Sequence, residues 1–339
     1  MIKVGLIGYG YWGPNILRNL VEHQLAEVVC SDLDKHKLEK LRARYPAVVT
    51  TTQVDSLFKD KSISAILIAT PISTHFSLAK KALEQGKHVF VEKPLTASAK
   101  EAESLVKLAK KQQRVLMVGH TFEYSPPVLK IKEMIDKNEL GKIYFVSSTR
   151  VNLGLHQKDV SVIWDLAPHD FSVIFFLLNE APVSVQAIGR DCIKKGIPDV
   201  AFIDMKFPSG IIAHMELSWL APSKIRNTTI VGSKKMLVYD DTQIVEKIKL
   251  FDHGVDFKDP ESFGEYQLSY RTGDIISPKL ATAEPLRTEL IHFIECIKTG
   301  RRPRTDGASG LRVVQALEMA EQSLRQQGKL IKMKPLNPT

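Results

Sequence analysis

The feature that most constrains this 339-residue chain is a glycine turn, Gly8-Tyr-Gly-Tyr-Trp-Gly13, set between two periodic segments. The run before it, Ile2–Ile7, is short and β-branched, and the run after it places Ile16, Leu17, Leu20 and Val21 at helical spacing. In such a strand–turn–helix the first glycine permits the tight turn, the second lets a pyrophosphate approach the backbone, and the third lets helix pack on strand. The helix N-terminus then offers unpaired N–H groups to phosphate. A second strand, Glu27–Ser31, ends at Asp32, 19 residues beyond Gly13, where an acid can bind an adenine ribose 2′-hydroxyl. Gly8, Gly10, Tyr11, Trp12, Gly13 and Asp32 are therefore candidate dinucleotide contacts. Asp32 repels a 2′-phosphate and no arginine follows it directly, so the cofactor is read as NAD, with Ser31 keeping NADP as the alternative.

Strand and helix signals keep alternating to residue 120. Ile63–Ala69, Lys87–Val91 and Val115–Gly119 are continuous apolar runs, and Ser98-Ala-Lys-Glu101 reads as a capping box ahead of Ala102, Leu105, Val106 and Ala109. Short apolar strands separated by helices predict a parallel sheet covered on both faces. Beyond about residue 122 the pattern changes: Lys142–Val151, Val183–Arg190, Val200–Phe207, Ile211–Trp219 and Thr228–Val231 read as successive strands. Ile211, Ala213, Met215, Leu217 and Trp219 alternate with Ile212, His214, Glu216 and Ser218, the period of an antiparallel sheet with one covered face. Two helical stripes close the chain, one through Leu286, Leu290, Ile294 and Ile297, the other through Leu311, Val314, Leu317 and Leu324. Residues 252–282 read as a long loop. The expected class is α/β in two domains: a doubly wound, dinucleotide-binding domain over 1–121, and a substrate-binding and oligomerisation domain over 122–339 with an open, mainly antiparallel sheet.

Composition excludes more than it selects. With 44% hydrophobic and 25% charged residues the chain is neither disordered nor fibrous. No apolar run approaches the ~20 residues of a membrane span, and three scattered cysteines, Cys30, Cys192 and Cys296, suit a reducing cytoplasm and predict neither disulfides nor a metal site. The net charge of +9 lies mostly in the first 120 residues, where 18 basic residues face 11 acidic ones. The basic residues are scattered and not interleaved with aromatics, which points to a small anionic ligand, not nucleic acid.

Two clusters carry acid–base chemistry. Lys93, in Glu92-Lys93-Pro94, follows the fourth strand at the carboxyl edge where ligands bind in such sheets, and a lysine there can hydrogen-bond a reacting oxygen. In Trp164-Asp-Leu-Ala-Pro-His-Asp170 a helix starting near Trp164 puts Asp165 and His169 one turn apart on one face. Pro168 supports a helix start nearby. His169 can take a proton from a hydroxyl near neutral pH, and Asp165 can bind or orient that substrate.

The glycine turn, Ala69-Thr-Pro-Ile-Ser-Thr-His75, Val91-Glu-Lys-Pro94 and Asp165-x-x-x-His169 together resemble the Gfo/Idh/MocA oxidoreductases, relatives of glucose–fructose oxidoreductase and inositol dehydrogenase. The likeness runs through the chain to Glu284-Pro-Leu and Thr305-Asp-Gly. It implies that Lys93, Asp165 and His169 match the catalytic residues, and that Thr70, Pro71, His75, Glu92 and His120 line the dinucleotide. Pro168 departs from the residue many members carry before the histidine. Gly10-Tyr-Trp-Gly-Pro-Asn15, Gly119-His-Thr-Phe-Glu-Tyr124 and the Trp164–Asp170 segment resemble the branch acting on nucleotide-linked sugars. That branch implies NAD-dependent oxidation of the C3 hydroxyl of a UDP-linked N-acetylaminosugar, with Tyr124 on the substrate side and Arg150, Tyr270 and Arg271 as candidates for the diphosphate. It also implies a homodimer or homotetramer. The alternatives are the 6-carboxylate sugar nucleotide as substrate, an NADPH-dependent ketoreductase of a dTDP-linked 3-keto sugar, a glycoside-cleaving redox cycle on bound NAD, and a dinucleotide-sensing binding protein.

Overall fold

The alternation is realised as β1 (Ile2–Ile7), α1 (Gly13–Glu22), β2 (Ala26–Ser31), α2 (Lys35–Arg44), β3 (Val49–Thr51), α3 (Val54–Lys59), β4 (Ile63–Ile68), α4 (Ile72–Glu84), β5 (His88–Glu92), α5 (Ala99–Lys111) and β6 (Leu116–Gly119). The computed structural model describes residues 1–154, 156, 160–258 and 267–333. The six strands pair in parallel in the order β3-β2-β1-β4-β5-β6. Strand order thus reverses beside β1, where the doubly wound fold opens its ligand crevice. Ser98 caps α5 as expected, its hydroxyl accepting the Glu101 N–H at 3.3 Å.

This first unit is not the N-terminal third alone. It comprises residues 1–125 and 283–315, and the second unit comprises 126–282 and 316–339. The expected single boundary near 121 is corrected by α8 (Pro285–Thr299), whose Leu286, Leu290, Phe293 and Ile294 join the core of Leu6, Ile16, Leu20, Phe90 and Tyr124. Each such side chain gains ~1.5–3 kcal/mol on burial, which fixes α8 here. At its N-terminus Glu284 accepts from Asn19 Nδ2 at 2.9 Å and pairs with Arg18. The Thr305-Asp-Gly segment covers the β6 edge: Met117 and Asp306 form an antiparallel bridge, and Val118 N–H donates to the Thr305 carbonyl at 2.8 Å.

The second unit contains α6 (Pro126–Asp136), β7 (Ile143–Leu153), α7 (Val162–Leu178), β8 (Ser184–Arg190), β9 (Val200–Lys206), β10 (Ile212–Ser218), β11 (Leu220–Gly232), β12 (Met236–Asp240), β13 (Ile248–Lys258), β14 (Gln267–Ile276) and β15 (Ile331–Lys332). They form one sheet, ordered β14-β13-β12-β11-β7-β10-β9-β8-β15, antiparallel except where β7 and β10 run parallel. The helix α7 lies against β7, β9 and β10. Ala213, Met215 and Leu217 are buried as their alternation predicts, while Ile212, Phe145 and Phe202 stay exposed on the other face. The helix α9 (Gly307–Arg325) completes the element order.

Two expectations are corrected. Residues 252–258 and 267–276 are not a loop, since β13 and β14 pair there; residues 277–282 are free of helix and strand as expected, and residues 259–266 lie outside the described residues. The signal was weak because Val255, Leu268, Tyr270, Ile275 and Ile276 are exposed, leaving no buried face to impose a period. Pro168 lies inside α7, six residues after Val162, not in its first turn. Lacking an N–H, it leaves the Trp164 carbonyl without the usual donor four residues on.

Candidate active site

The turns at the carboxyl ends of β1, β2, β4 and β5 carry most of the dinucleotide candidates. Gly8, with φ +97°, donates its N–H to the Ser31 carbonyl at 2.8 Å, locking the glycine turn to the end of β2. Asp32 then accepts the Tyr9 N–H at 2.6 Å and the Asp34 N–H at 2.9 Å. The helix α1 begins at Gly13 without a capping side chain, so no side chain competes for its start, although the Asn15 N–H already donates to the Trp12 carbonyl at 3.0 Å. A Cβ on Gly10 would meet nothing within 4 Å, whereas one on Gly13 would stand 2.2 Å from the Gly8 carbonyl oxygen. An open space over Gly10, an uncapped helix start and a carboxylate fixed 19 residues on are the features an adenine dinucleotide needs.

After β4, Thr70 and Pro71 open α4, with Thr70 Oγ1 2.7 Å from Thr74 Oγ1. His75 is buried, its ring nitrogens 2.9 Å from the Pro94 carbonyl and 2.8 Å from that of Thr70. It ties the two turns together from behind instead of facing a ligand. Lys93 is half-buried just beyond β5, and its bond to Pro94 is cis.

Behind Lys93 the structure holds a buried acidic group. Glu92 is 6% exposed, and burial pushes its carboxyl up to about 7 against the opposing charge and backbone N–H of Lys93. Burial likewise holds Glu289 and Glu123 well above the ordinary carboxyl range, although the Thr121 hydroxyl donates to Glu289 Oε2 at 2.6 Å. His120 is buried too, and desolvation, aided by the Lys93 charge, pushes its imidazole down to about 3. Glu289 and Glu123 escaped sequence reasoning. Glu289 did leave a signal: an acid three residues after Leu286, inside an apolar stripe.

These groups give a pH dependence. Folded Glu92 stays protonated up to about 7, but its unfolded form ionises near 4.5, so its contribution to stability falls as pH rises between those values. His120 opposes this at lower pH, because the unfolded ring gains a proton below about 6.5 and the folded one only near 3. Glu92→Gln, which mimics the protonated carboxyl, should leave thermal stability at pH 5 unchanged and raise it at pH 8 by on the order of 1–3 kcal/mol. Calorimetric melts at the two pH values decide it; equal shifts at both would place the effect outside ionisation.

In the second unit Asp165 and His169 stand one turn apart on α7, both partly exposed, while Pro168 and Asp170 beside them are buried. Trp219, 1% exposed, donates Nε1–H to Asp165 Oδ2 at 3.1 Å. Asp170 is gripped from β7: Arg150 donates Nε–H to Oδ2 at 2.5 Å and Nη2–H to Oδ1 at 3.3 Å, and the Ser148 hydroxyl donates to Oδ1 at 2.8 Å. That grip pins the helical turn carrying His169.

Three of the remaining substrate candidates, Arg150, Tyr124 and Arg271, are corrected, while Tyr270 is left exposed. Arg150 is buried and committed to Asp170, so it anchors α7 and presents no fork to a diphosphate. Tyr124 belongs to the core of the first unit, its hydroxyl 3.3 Å from Thr305 Oγ1 and its ring 4.8 Å from the Arg304 guanidinium carbon. Arg271 pairs with Asp252 at 3.0 Å and Asp256 at 2.5 Å within the β13–β14 hairpin, where Tyr270 is 74% exposed. Sequence periodicity could mark these residues as polar or aromatic but not show that protein partners already take them. Among the described residues no group of histidine, cysteine or acidic side chains could hold a metal ion, and no helix is long and apolar enough to cross a membrane.

Comparison with known proteins agrees with this architecture. Residues 2–120 match the oxidoreductase family with an NAD-binding Rossmann fold, and residues 128–238 match the GFO/IDH/MocA C-terminal domain. The chain is 37% identical to the uncharacterized oxidoreductase YdgJ of Escherichia coli over 54% of its own length and 55% of that protein. It spans less than two thirds of the length of several of the curated relatives it matches, from 55% to 63%. It is 26% identical to a UDP-N-acetylglucosamine 3-dehydrogenase of Acidithiobacillus ferrooxidans over 93% of this chain and 95% of that one. The solved structure of that protein superposes with a TM-score of 0.80, at 23% identity over 96% and 98% of the two chains. GenD2 from gentamicin A biosynthesis, solved with NAD, superposes at 0.81 with 21% identity over 98% and 97%. With a Rossmann unit of this strand order, an uncapped glycine turn and both family domains matched, the chain belongs to the Gfo/Idh/MocA family of NAD-binding oxidoreductases.

Proposed function

We propose that the chain oxidises the C3 hydroxyl of a UDP-linked N-acetylaminosugar, UDP-N-acetylglucosamine, to the 3-keto sugar nucleotide. The observation that carries this reading is the end-to-end likeness to a UDP-N-acetylglucosamine 3-dehydrogenase. The positive charge of the first 120 residues supports it, since a nucleoside diphosphate is anionic. NAD, when bound, supplies the acceptor for the hydride leaving C3. His169 takes the hydroxyl proton as the C3–O bond becomes a carbonyl, while Lys93 donates a hydrogen bond to the same oxygen and offsets its developing charge. Asp165 accepts from a neighbouring sugar hydroxyl and orients the ring. Asp32 selects NAD over NADP. Tyr11 and Trp12 would hold the dinucleotide at the glycine turn, and Thr70 and Pro71 would line it at the start of α4.

The test mixes purified protein with NAD and UDP-N-acetylglucosamine at mildly alkaline pH, with the 6-carboxylate analogue and NADP in parallel. Hydroxylamine traps the ketone for mass measurement, because oxidation of secondary alcohols by NAD is often uphill. Substrate-dependent NADH with a trapped 3-keto product is expected. Silence with both sugar nucleotides, despite NAD binding, overturns the substrate assignment. A second reading, oxidation of a free cyclitol, is favoured by 26% identity to the scyllo-inositol 2-dehydrogenase (NAD(+)) of Bacillus subtilis over 89% of this chain, so scyllo-inositol belongs in the same plate. The exposed apolar face around Phe145, Phe202 and Ile212 supports assembly as a homodimer or homotetramer. Light scattering should give two or four times 38.0 kDa, and Phe145→Lys should lower it; a monomeric wild type would refute assembly.

A further inference from the structure

Asp165 is held by more than its helix. Trp219 sits between β10 and β11 with its single polar side-chain atom, an N–H that can only donate, aimed at Asp165 Oδ2 at 3.1 Å. For packing alone a phenyl ring would serve; a buried indole pointed at one carboxylate oxygen specifies direction as well. The indole is fixed from its own backbone, whose N–H donates to the Asp199 carbonyl at 2.9 Å and whose carbonyl accepts the Gly154 N–H at 3.0 Å. On the indole lies the partly exposed ring of His156, centroids 5.4 Å apart with planes at 60°. The Nε2 of His156 is 3.9 Å from Asp199 Oδ2. Asp199 is fully buried and its carboxylate accepts the N–H groups of Cys192 at 3.1 Å and Ile193 at 2.8 Å. A backbone-pinned aspartate, a histidine, an indole and Asp165 therefore form one continuous line within the second unit.

We propose that Trp219 is the positioning residue for the Asp165 carboxylate, and that His156, carried on the same indole, is a further sugar-contacting residue. The inference rests on the reading of Asp165 as the group that orients the sugar. Because the indole N–H does not titrate in the working range, it keeps Asp165 an acceptor in one fixed direction, and His156 adds a second polar contact beside it.

The experiment has two arms. The first records indole N–H resonances of the apoprotein, whose three tryptophans give three signals, and assigns Trp219 by its loss in Trp219→Phe. Asp165→Asn is expected to move that resonance; an indole signal indifferent to it overturns the inference without any substrate. The second arm uses NAD and UDP-N-acetylglucosamine. Trp219→Phe should lower kcat/KM about 10–100-fold, as loss of a hydrogen bond to a charged group does. NADH affinity by fluorescence should stay unchanged. In an Asp165→Asn background the same substitution should cost little more, because the two act as a unit, whereas fully additive losses would refute positioning. His156→Ala should raise KM for the sugar nucleotide several-fold with kcat within about twofold; an unchanged KM removes His156. If wild-type protein leaves UDP-N-acetylglucosamine untouched, the substrate reading fails on that result, and the resonance arm still decides the Trp219–Asp165 link.

Discussion

Lys93→Met should leave NAD binding within about threefold of wild type and lower kcat by ~10³-fold, near 4 kcal/mol of transition-state stabilisation. The methionine keeps the length and apolar stem of the lysine, so the turn after β5 keeps its shape, but the donor to the reacting oxygen is gone. Lys93→Arg should not rescue, because the larger, rigid fork of a guanidinium cannot place its donor where the compact ammonium stands. A third consequence lies behind the site. The Lys93 charge opposes the effect of burial on Glu92, so removing it should push that carboxyl still higher than about 7. Stopped-flow turnover, NADH fluorescence titration and the pH dependence of melting read the three effects separately. Wild-type turnover in Lys93→Met would take the residue out of the mechanism. Lost NAD binding with the fold intact would make it a cofactor ligand.

Gly13→Ala should be among the most damaging single methyl groups in the chain. Its Cβ would stand 2.2 Å from the Gly8 carbonyl oxygen and 3.0 Å from the carbon, both backbone atoms. Relief requires the turn to open, which breaks the Gly8–Ser31 and Tyr9–Asp32 hydrogen bonds. A loss above ~3 kcal/mol of stability is expected, with NAD binding abolished. Gly10→Ala separates fold from ligand, since its methyl meets no protein atom within 4 Å. That variant should melt within a degree or two of wild type yet bind NAD at least ~10-fold more weakly, because its methyl enters the space a pyrophosphate needs. Calorimetry and NADH titration of the pair check this. A Gly10→Ala protein with unaltered NAD affinity would remove the glycine turn from the cofactor site.

What could be read from the sequence and what could not differ for a physical reason. Strands buried on both faces announce themselves as apolar runs, so β1, β2, β4, β5 and β6 were legible to within a residue or two. The one-sided alternation of Ala213, Met215 and Leu217 gave β10 and its buried face. The short edge strand β3 and the solvent-exposed β13–β14 hairpin lack such a constraint and were missed. For the site, the glycine turn and the Asp165/His169 spacing were legible because both are local in sequence. The commitments of Arg150 to Asp170, of Arg271 to Asp252 and of Tyr124 to the core depend on partners at least 19 residues away, invisible to local spacing. Trp219 was foreseen as an inward-facing residue, but nothing local tells that its N–H meets a carboxylate 54 residues earlier.

The contribution of α8 to the first core has a consequence for synthesis. On a ribosome, residues 1–125 emerge early and already contain every strand of the parallel sheet. Their apolar surface around Ile16, Leu20 and Phe90 nevertheless stays uncovered until Leu286, Leu290, Phe293 and Ile294 follow. The whole sheet of the second unit except β15 is translated in that interval. The nascent nucleotide-binding half thus waits, with a hydrophobic strip open to chaperones or to other chains, for most of the time its own translation takes.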